Sequence, residues 1–324
     1  LASKATIFLY DGSPFFPNKE SIVQMAANEK INFLGVSAKY LDALRNEKFS
    51  AIDKFDLDSL KCILSTGSPL IKESFEYVYK NLKSDIHLAS ISGGTDIVSC
   101  FVLGSPHLPV FSGEIQCISL GVDVDIFDDD GKSTNEKGEL VCKSALPTMP
   151  IGFWNDDKKI KYIQSYFSKF KNVWAQGDFA NFTNNNGIVI YGRSDATLNP
   201  GGIRIGTAEI YRAVETINEV VESIAVAQDW NNDIRIILFV KLSEGSKLTN
   251  ELIKLIKDKI REQTSVRHVP AKVIKIMNIP KTKSGKIVEL SVRDIINGKM
   301  PKNIGALENP KCLEEYENIE ELKN

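Results

Sequence analysis

Four short segments carry side chains whose types and spacing suit chemistry on an anionic ligand. In Pro280-Lys281-Thr282-Lys283-Ser284-Gly285-Lys286, the glycine makes a tight turn that presents the Lys286 ammonium as a movable point charge. This is no Walker phosphate loop: Pro280 stands where its first glycine belongs, and Ile287 where Ser or Thr would hold magnesium. Gly192-Arg193-Ser194-Asp195 leads within nine residues to Gly201-Gly202-Ile203-Arg204 and then Glu209. Two arginines beside a flexible double glycine suit an anion approached closely by backbone. Trp174…Gly177-Asp178 and Ser92-Gly93-Gly94-Thr95-Asp96 add backbone, hydroxyl and carboxylate groups. Each segment also has a plain reading: a Lys-rich surface turn, a strand-turn-strand with ion pairs, an ordinary turn, a hairpin turn. Their joint order and spacing is what distinguishes them.

Other chemistries are poorly served. The run Asp123–Gly131 is rich in aspartate, but a calcium loop would put Ile126 at its first ligand position and Lys137 at its last. A strand ending in an Asp-Gly turn explains it better. Five cysteines, odd in number and without CxxC spacing, point to free thiols in a reducing compartment rather than to disulfides or zinc. Three histidines, no HExxH and no GxSxG leave little room for a metalloprotease or serine hydrolase. Forty basic residues against 42 acidic give a net charge of −2, so no nucleic-acid partner or electrostatic membrane grip is expected. The longest apolar stretch, Ile234–Val240, is interrupted by Arg235 and falls far short of the ~20 residues that span a bilayer. A cytoplasmic location and no membrane insertion are expected.

The elements that must position these groups follow from periodicity. The length of 324 residues predicts about two domains. Strands at Ala5–Tyr10, Ile31–Val36 and Leu60–Ser65 alternate with helices at Ser21–Lys30, Lys39–Phe49 and Ile71–Leu82, which indicates an α/β layer with a largely parallel sheet. Short alternating runs at Gly113–Ser119, Val122–Phe127 and Gly138–Lys143 suggest a small antiparallel or barrel-like piece. Beyond Gly192 the pattern is that of a compact α+β domain. Thr207 is the expected N-cap of a helix over Ala208–Ile217, and Val221–Gln228, Arg235–Lys241 and Ala271–Ile276 read as strands. Between them Leu252, Leu255, Ile256 and Ile260 form one apolar helical stripe. The Glu-rich tail after Asn303 is expected to be peripheral.

In this order, six segments resemble the adenylate-forming superfamily of acyl-CoA synthetases, luciferases and peptide-synthetase adenylation domains: Ile63–Leu70, Ser92–Asp96, Lys137–Ser144, Trp174–Asp178, Tyr191–Ile210 and Pro280–Lys286. Within it the wording is most similar to the acetoacetate–CoA ligases, in runs such as ISGGTDIVSCF, GVDVDIFDDDGKS, IVIYGRSDATLNPGG and IPKTKSGKIVEL. The resemblance implies a partial N-terminal AMP-binding domain over 1–194, an α/β layer plus a small β-barrel-like subdomain, and a mobile α+β domain over 195–324. It also implies that the superfamily's phosphate loop lies upstream of Leu1, so that the piece alone is weak or inactive.

The implied reaction joins acetoacetate to AMP with release of pyrophosphate, after which CoA displaces AMP; ATP, Mg2+ and CoA are the implied cofactors and co-substrates. Asp178 matches the aspartate that accepts the ribose hydroxyls, with Arg193 beside it, and Arg204 the arginine near the phosphates. Gly67, Ser68, Pro69, Gly94 and Thr95 match nucleotide-contacting positions. Asp96 stands where the superfamily usually has a magnesium-associated Glu. Lys286 matches the lysine that bridges acyl carboxylate and α-phosphate, Asp195 the hinge, and Gly201 and Gly202 the segment lining the pantetheine tunnel. Gly93 replaces the bulky aromatic of acetate-using relatives and is expected to enlarge the acyl pocket. A ligase for propionate or acetate, a carrier-loading adenylation domain and a silent nucleotide-binding homologue are the competing readings.

Overall fold

The parallel layer forms first along the chain, as its alternation of short apolar runs and amphipathic helices requires. A computed structural model describes residues 3–231, 233–283, 285–301 and 304–323. Helix α1 (Ser21–Asn28) is followed by β1 (Phe33–Ser37), α2 (Ala38–Asn46), β2 (Cys62–Thr66), α3 (Lys72–Tyr77) and β3 (His87–Ser90). The strands lie parallel in the order β1-β2-β3. Helix α2 starts where the Ser37 hydroxyl accepts from Tyr40 N–H at 3.1 Å, and it buries Tyr40, Leu41 and Leu44 against Ile63 and Leu88 of the sheet. The expected strand at Ala5–Tyr10 is absent: the segment pairs with no described strand, and Ile7, Phe8, Leu9 and Tyr10 are exposed. An apolar β-prone run needs a ladder partner to become a strand.

The next strands are antiparallel. One sheet contains β4 (Ser92–Gly94), β5 (Ser99–Leu103) and β6 (Cys117–Ile118), and another has the order β10-β9-β8-β7 from β7 (Val124–Phe127), β8 (Gly138–Cys142), β9 (Trp174–Phe182) and β10 (Ile188–Arg193). Helix α4 (Ile160–Tyr166) packs on β9 through aromatic side chains. The aspartates after β7 make the expected turn, with Asp128 Oδ1 accepting from Asp130 and Lys132 N–H.

The last unit is built on the hairpin β11 (Val220–Trp230) and β12 (Asp233–Leu242), with β13 (Lys272–Lys275) parallel to β12. Helices α5 (Thr207–Val214) and α6 (Asn250–Gln263) cover one face, burying Ile210, Leu252, Ile256 and Ile260. Leu255, placed in that stripe by sequence, is instead 49% exposed. Thr207 is the first helical residue rather than the cap; Gly206 precedes the helix, and its N–H donates to Glu209 Oε1 at 3.0 Å. Glutamate three residues on supplies the capping group that the threonine was expected to give.

The tail overturns its expectation. With α7 (Glu289–Ile296), it covers the other face of the hairpin, where Leu307, Leu313, Tyr316 and Leu322 are buried against Ile224, Val226 and Phe239. The Tyr316 ring meets Phe239 edge-on at 4.9 Å, and its hydroxyl donates to Asn278 O at 2.8 Å. A few widely spaced apolar residues among glutamates suffice because the tail runs as short 3-10 turns, each burying one side. Among the described residues no helix is long and apolar enough to cross a membrane, and all five cysteines are free.

Charged contacts join the last unit to the rest. Lys39 of α2 pairs with Glu215, Lys137 with Glu209 at 2.6 Å, and Arg204 with Asp129 at 2.7 Å. Burial opposes the charged form of Glu209, but His268 Nε2 at 3.6 Å, the Lys137 ammonium and the Gly206 N–H outweigh it and hold the carboxyl at about 2, against an ordinary 4.5.

Two outcomes follow. Tyr316→Ala should cost about 3 kcal/mol of unfolding free energy, read in a denaturant titration, because it empties a core position and strands the Asn278 carbonyl; a surface-like loss of a few tenths would contradict the tail's place in the core. Glu209, with its folded value depressed, stabilises the fold fully above its unfolded value and loses that contribution as pH falls through the folded one. The stability gap between wild type and Glu209→Gln should therefore be widest above pH 4.5 and close as pH approaches 2.

Candidate active site

The site begins at the carboxyl ends of the parallel strands, where loops can reach a ligand without breaking the sheet. Thr66 ends β2 and Gly67-Ser68-Pro69 follow, Gly67 at φ +89°, a left-handed turn that glycine makes without strain. Neighbouring β3 ends at Ser90, and Ile91 N–H donates to Ser65 O, so Ser92–Asp96 leaves the same edge of the sheet. Sheet topology therefore gathers two of the sequence-predicted segments.

Strand β9 brings the third. Asp178 is buried, its Oδ2 accepting from the Ser92 hydroxyl at 3.2 Å and its Oδ1 lying 3.4 Å from Arg193 Nη1. Arg193 comes from the end of β10, which pairs in register with Asp178, and also donates to Gln176 O at 2.9 Å. The guanidinium fits only because residue 177 is glycine: a Cβ there would sit 2.2 Å from Arg193 Nη2. Burial pushes the Asp178 carboxyl above its usual range, while the Arg193 guanidinium, the Ser92 hydroxyl and the Lys286 ammonium pull it back down. Lys286 thus lies close enough to act on Asp178 by its charge, across the junction between the two parts of the chain.

Lys286 is exposed, on a hairpin closed by the Lys281–Ile287 bridge. Its backbone N–H donates to Thr282 Oγ1 at 3.1 Å, and Gly285 has φ +82°. Ser284 lies outside the described residues.

A buried carboxylate that sequence reading did not single out supports this arrangement. Glu139 of β8 accepts from Gly177 N–H at 2.8 Å, from the Ser194 hydroxyl at 3.0 Å and from Lys169 Nζ at 2.6 Å. It ties the Asp178 turn to the residue before Asp195. On the far side, Arg293 Nη1 donates to Asp195 O at 3.1 Å, and the Asp195 carboxylate lies 3.4 Å from Arg193 Nε. Lys137-Gly138-Glu139 was legible as a motif, but only the folded register shows where its carboxylate points.

Other predicted residues fall elsewhere. Arg204 is turned to Asp129 and the Phe179 ring, not to Asp178. Gly201 adopts φ +58° in the turn Pro200–Gly202, its N–H donating to the Asp233 carboxylate at 3.0 Å; what surrounds Gly202 lies outside the described residues. Gly94 packs against the Gln176 amide, and Thr95 is exposed. Gly93 corrects its expectation. A Cβ there would stand 2.1 Å from Ser99 O and 2.7 Å from Cys100 Cα. The glycine is required by the close approach of β5, and the argument that it clears space for a larger acid falls away.

Asp96 is exposed, and among the described residues it forms no ion pair. Its Oδ2 accepts from the Tyr166 hydroxyl, a neutral partner. Among the described residues no three His, Cys, Asp or Glu side chains could hold a metal by themselves. One carboxylate with a free oxygen nonetheless fits a magnesium ion that arrives on nucleotide phosphates, since that ion keeps most of its water and takes few protein ligands.

No family profile matches the chain. It is 55% identical over its full length to an acetoacetyl-coenzyme A synthetase of Rhizobium meliloti and 45% identical to an acetoacetyl-CoA synthetase of Gallus gallus, covering 50% and 49% of those proteins. The chain spans about half the length of the curated relatives it matches. Among solved structures, acetoacetyl-CoA synthetase from Streptomyces lividans superposes with a TM-score of 0.88 at 37% identity, over 97% of this chain and 49% of that one. The anthranilate CoA ligase AuaEII, at 20% identity and a TM-score of 0.72, shares the fold. Matched in sequence over its whole length, the chain is similar throughout to acetoacetyl-CoA synthetases and covers about half of each.

Proposed function

We propose that this chain carries the nucleotide cradle and mobile lysine of an ATP-dependent acetoacetate–CoA ligase. The observation that supports it most directly is the buried Asp178, held by the Ser92 hydroxyl at 3.2 Å and the Arg193 guanidinium at 3.4 Å, in a chain matched over its whole length by acetoacetyl-CoA synthetases. A carboxylate is a poor acyl electrophile because its charge repels nucleophiles. In the first step an acetoacetate oxygen attacks the α-phosphorus of ATP and pyrophosphate leaves. In the second, the CoA thiol attacks the carbonyl carbon of the adenylate, AMP departs, and the thiol proton goes to solvent. Asp178 accepts the ribose hydroxyls, with Arg193 holding its orientation. Lys286 offsets the crowding of two anions as acid and α-phosphate meet. Asp96 would hold a magnesium ion, which when bound would supply charge neutralisation to the leaving pyrophosphate.

The reading places the boundary of the mobile domain at Asp195. Among the described residues every apolar cluster lies wholly before or wholly after it: three within residues 22–190 and two within 198–322. Only the last domain carries Lys286, so its swing withdraws that charge once the adenylate has formed, and the Gly201-Gly202 turn then lines the way in for pantetheine. Acetoacetate, ATP and CoA are the small-molecule partners.

In the intact protein, Lys286→Ala should slow acetoacetate-dependent ATP–pyrophosphate exchange by about 10²–10³-fold, yet still convert supplied acetoacetyl-adenylate to thioester. Equal loss of both steps would remove the assigned role. Gly93→Ala should lower the unfolding midpoint and soluble yield rather than shift preference from acetoacetate to acetate. A stable Gly93→Ala enzyme with altered acid preference would restore the pocket argument that the β5 backbone removes.

A further inference from the structure

The turn that carries Asp96 is short and strained, and apart from the buried Ile97 its side chains are exposed. Val98, 83% exposed, sits at φ +48°, a region costly for a β-branched side chain, and its N–H closes the turn on Thr95 O. Aspartate is one methylene shorter than glutamate and has less reach to adjust. A carboxylate on such a turn needs an external support if one oxygen is to stay aimed at a ligand.

Tyr166, the last residue of α4, provides one. Its ring stacks on Trp174 at 3.6 Å and 14°, and Trp174 is itself buried. Phe153 and Tyr162 meet the Tyr166 ring edge-on at 6.1 Å. Trp174 Nε1 donates to Gln176 Oε1 at 3.0 Å, and Gln176 Nε2 donates to Gly93 O at 3.2 Å. Helix α4, strand β9 and the turn after β4 are thereby one connected frame, two residues from Asp178. The phenol is a neutral hydrogen-bond donor. A lysine in its place would neutralise the carboxylate and compete with a cation. A phenol orients the group and leaves its charge intact.

We propose that Tyr166 is a positioning residue for the activation step: its hydroxyl fixes Asp96 through Oδ2 and leaves Oδ1 for the divalent cation that accompanies ATP. This rests on the ligase reading above.

The test uses the intact protein and Tyr166→Phe, which keeps the ring on Trp174 and removes only the hydroxyl. In acetoacetate-dependent ATP–pyrophosphate exchange, the magnesium concentration for half-maximal rate should rise about tenfold, with a much smaller change at saturating magnesium. Independently of turnover, Mn2+ titrated into protein and ATP and followed by electron paramagnetic resonance should bind the variant about tenfold more weakly. Incorporation of 3-fluorotyrosine at 166, whose hydroxyl is a stronger donor, should move the magnesium requirement the other way, and it serves if the Phe variant does not fold. A folded Phe variant, or the fluorotyrosine protein, with unmoved magnesium and manganese dependence overturns the proposal while leaving the ligase reading intact. A wild-type protein that shows no acetoacetate-dependent exchange overturns the ligase reading itself.

Discussion

A carboxylate removed from water governs this site. Asp178 is buried where its charge is disfavoured, and the surrounding architecture supplies what water would have given: a guanidinium from the next strand, a hydroxyl from the turn after β3, and a lysine from the far end of the chain. Each donor depends on a different element, so the carboxylate is kept ready for a ligand only when two sheets and the hairpin of Lys286 are assembled around it. Glu139 extends the same logic one layer out, holding the backbone beside Asp178 and the hydroxyl before the hinge with a second buried charge.

Charge also marks the junction between the two parts. The Lys39–Glu215, Lys137–Glu209 and Arg204–Asp129 contacts lie outside the apolar clusters, and each of those clusters is confined to one part. A junction held by ions opens at modest cost, because both partners regain hydration on separation, whereas an apolar core does not. That difference fits the withdrawal of Lys286 proposed above. The Arg293 side chain donates to Asp195 O and the Ser194 hydroxyl to Glu139, so the two sides of the Ser194–Asp195 bond are held by different parts of the chain.

Much of this was legible in residue order. Apolar periodicity located β1, β2, α1 and α2 to within a few residues, and it found the β11–β12 hairpin, since these are patterns that the chain imposes locally. Misreadings arose where a neighbour distant in sequence decides. Ala5–Tyr10 has strand composition but no ladder. Leu255 sits on the helical stripe but beyond the reach of the sheet. The Glu-rich tail looks peripheral until the bare face of the hairpin is seen to need it.

The site divides in the same way. Residue types and their order alone determined the chemistry on offer, a point charge on a glycine turn and a paired aspartate and arginine, because charge, donor capacity and backbone freedom are properties of single residues. Only the tertiary structure decided what those groups meet. It buried Asp178, aimed Glu139 at its backbone, turned Arg204 towards Asp129, filled the space at Gly93 with the backbone of β5 and brought Tyr166 onto Asp96. Burial and direction are set by sheet register and helix packing over separations of tens of residues, and no local pattern encodes them.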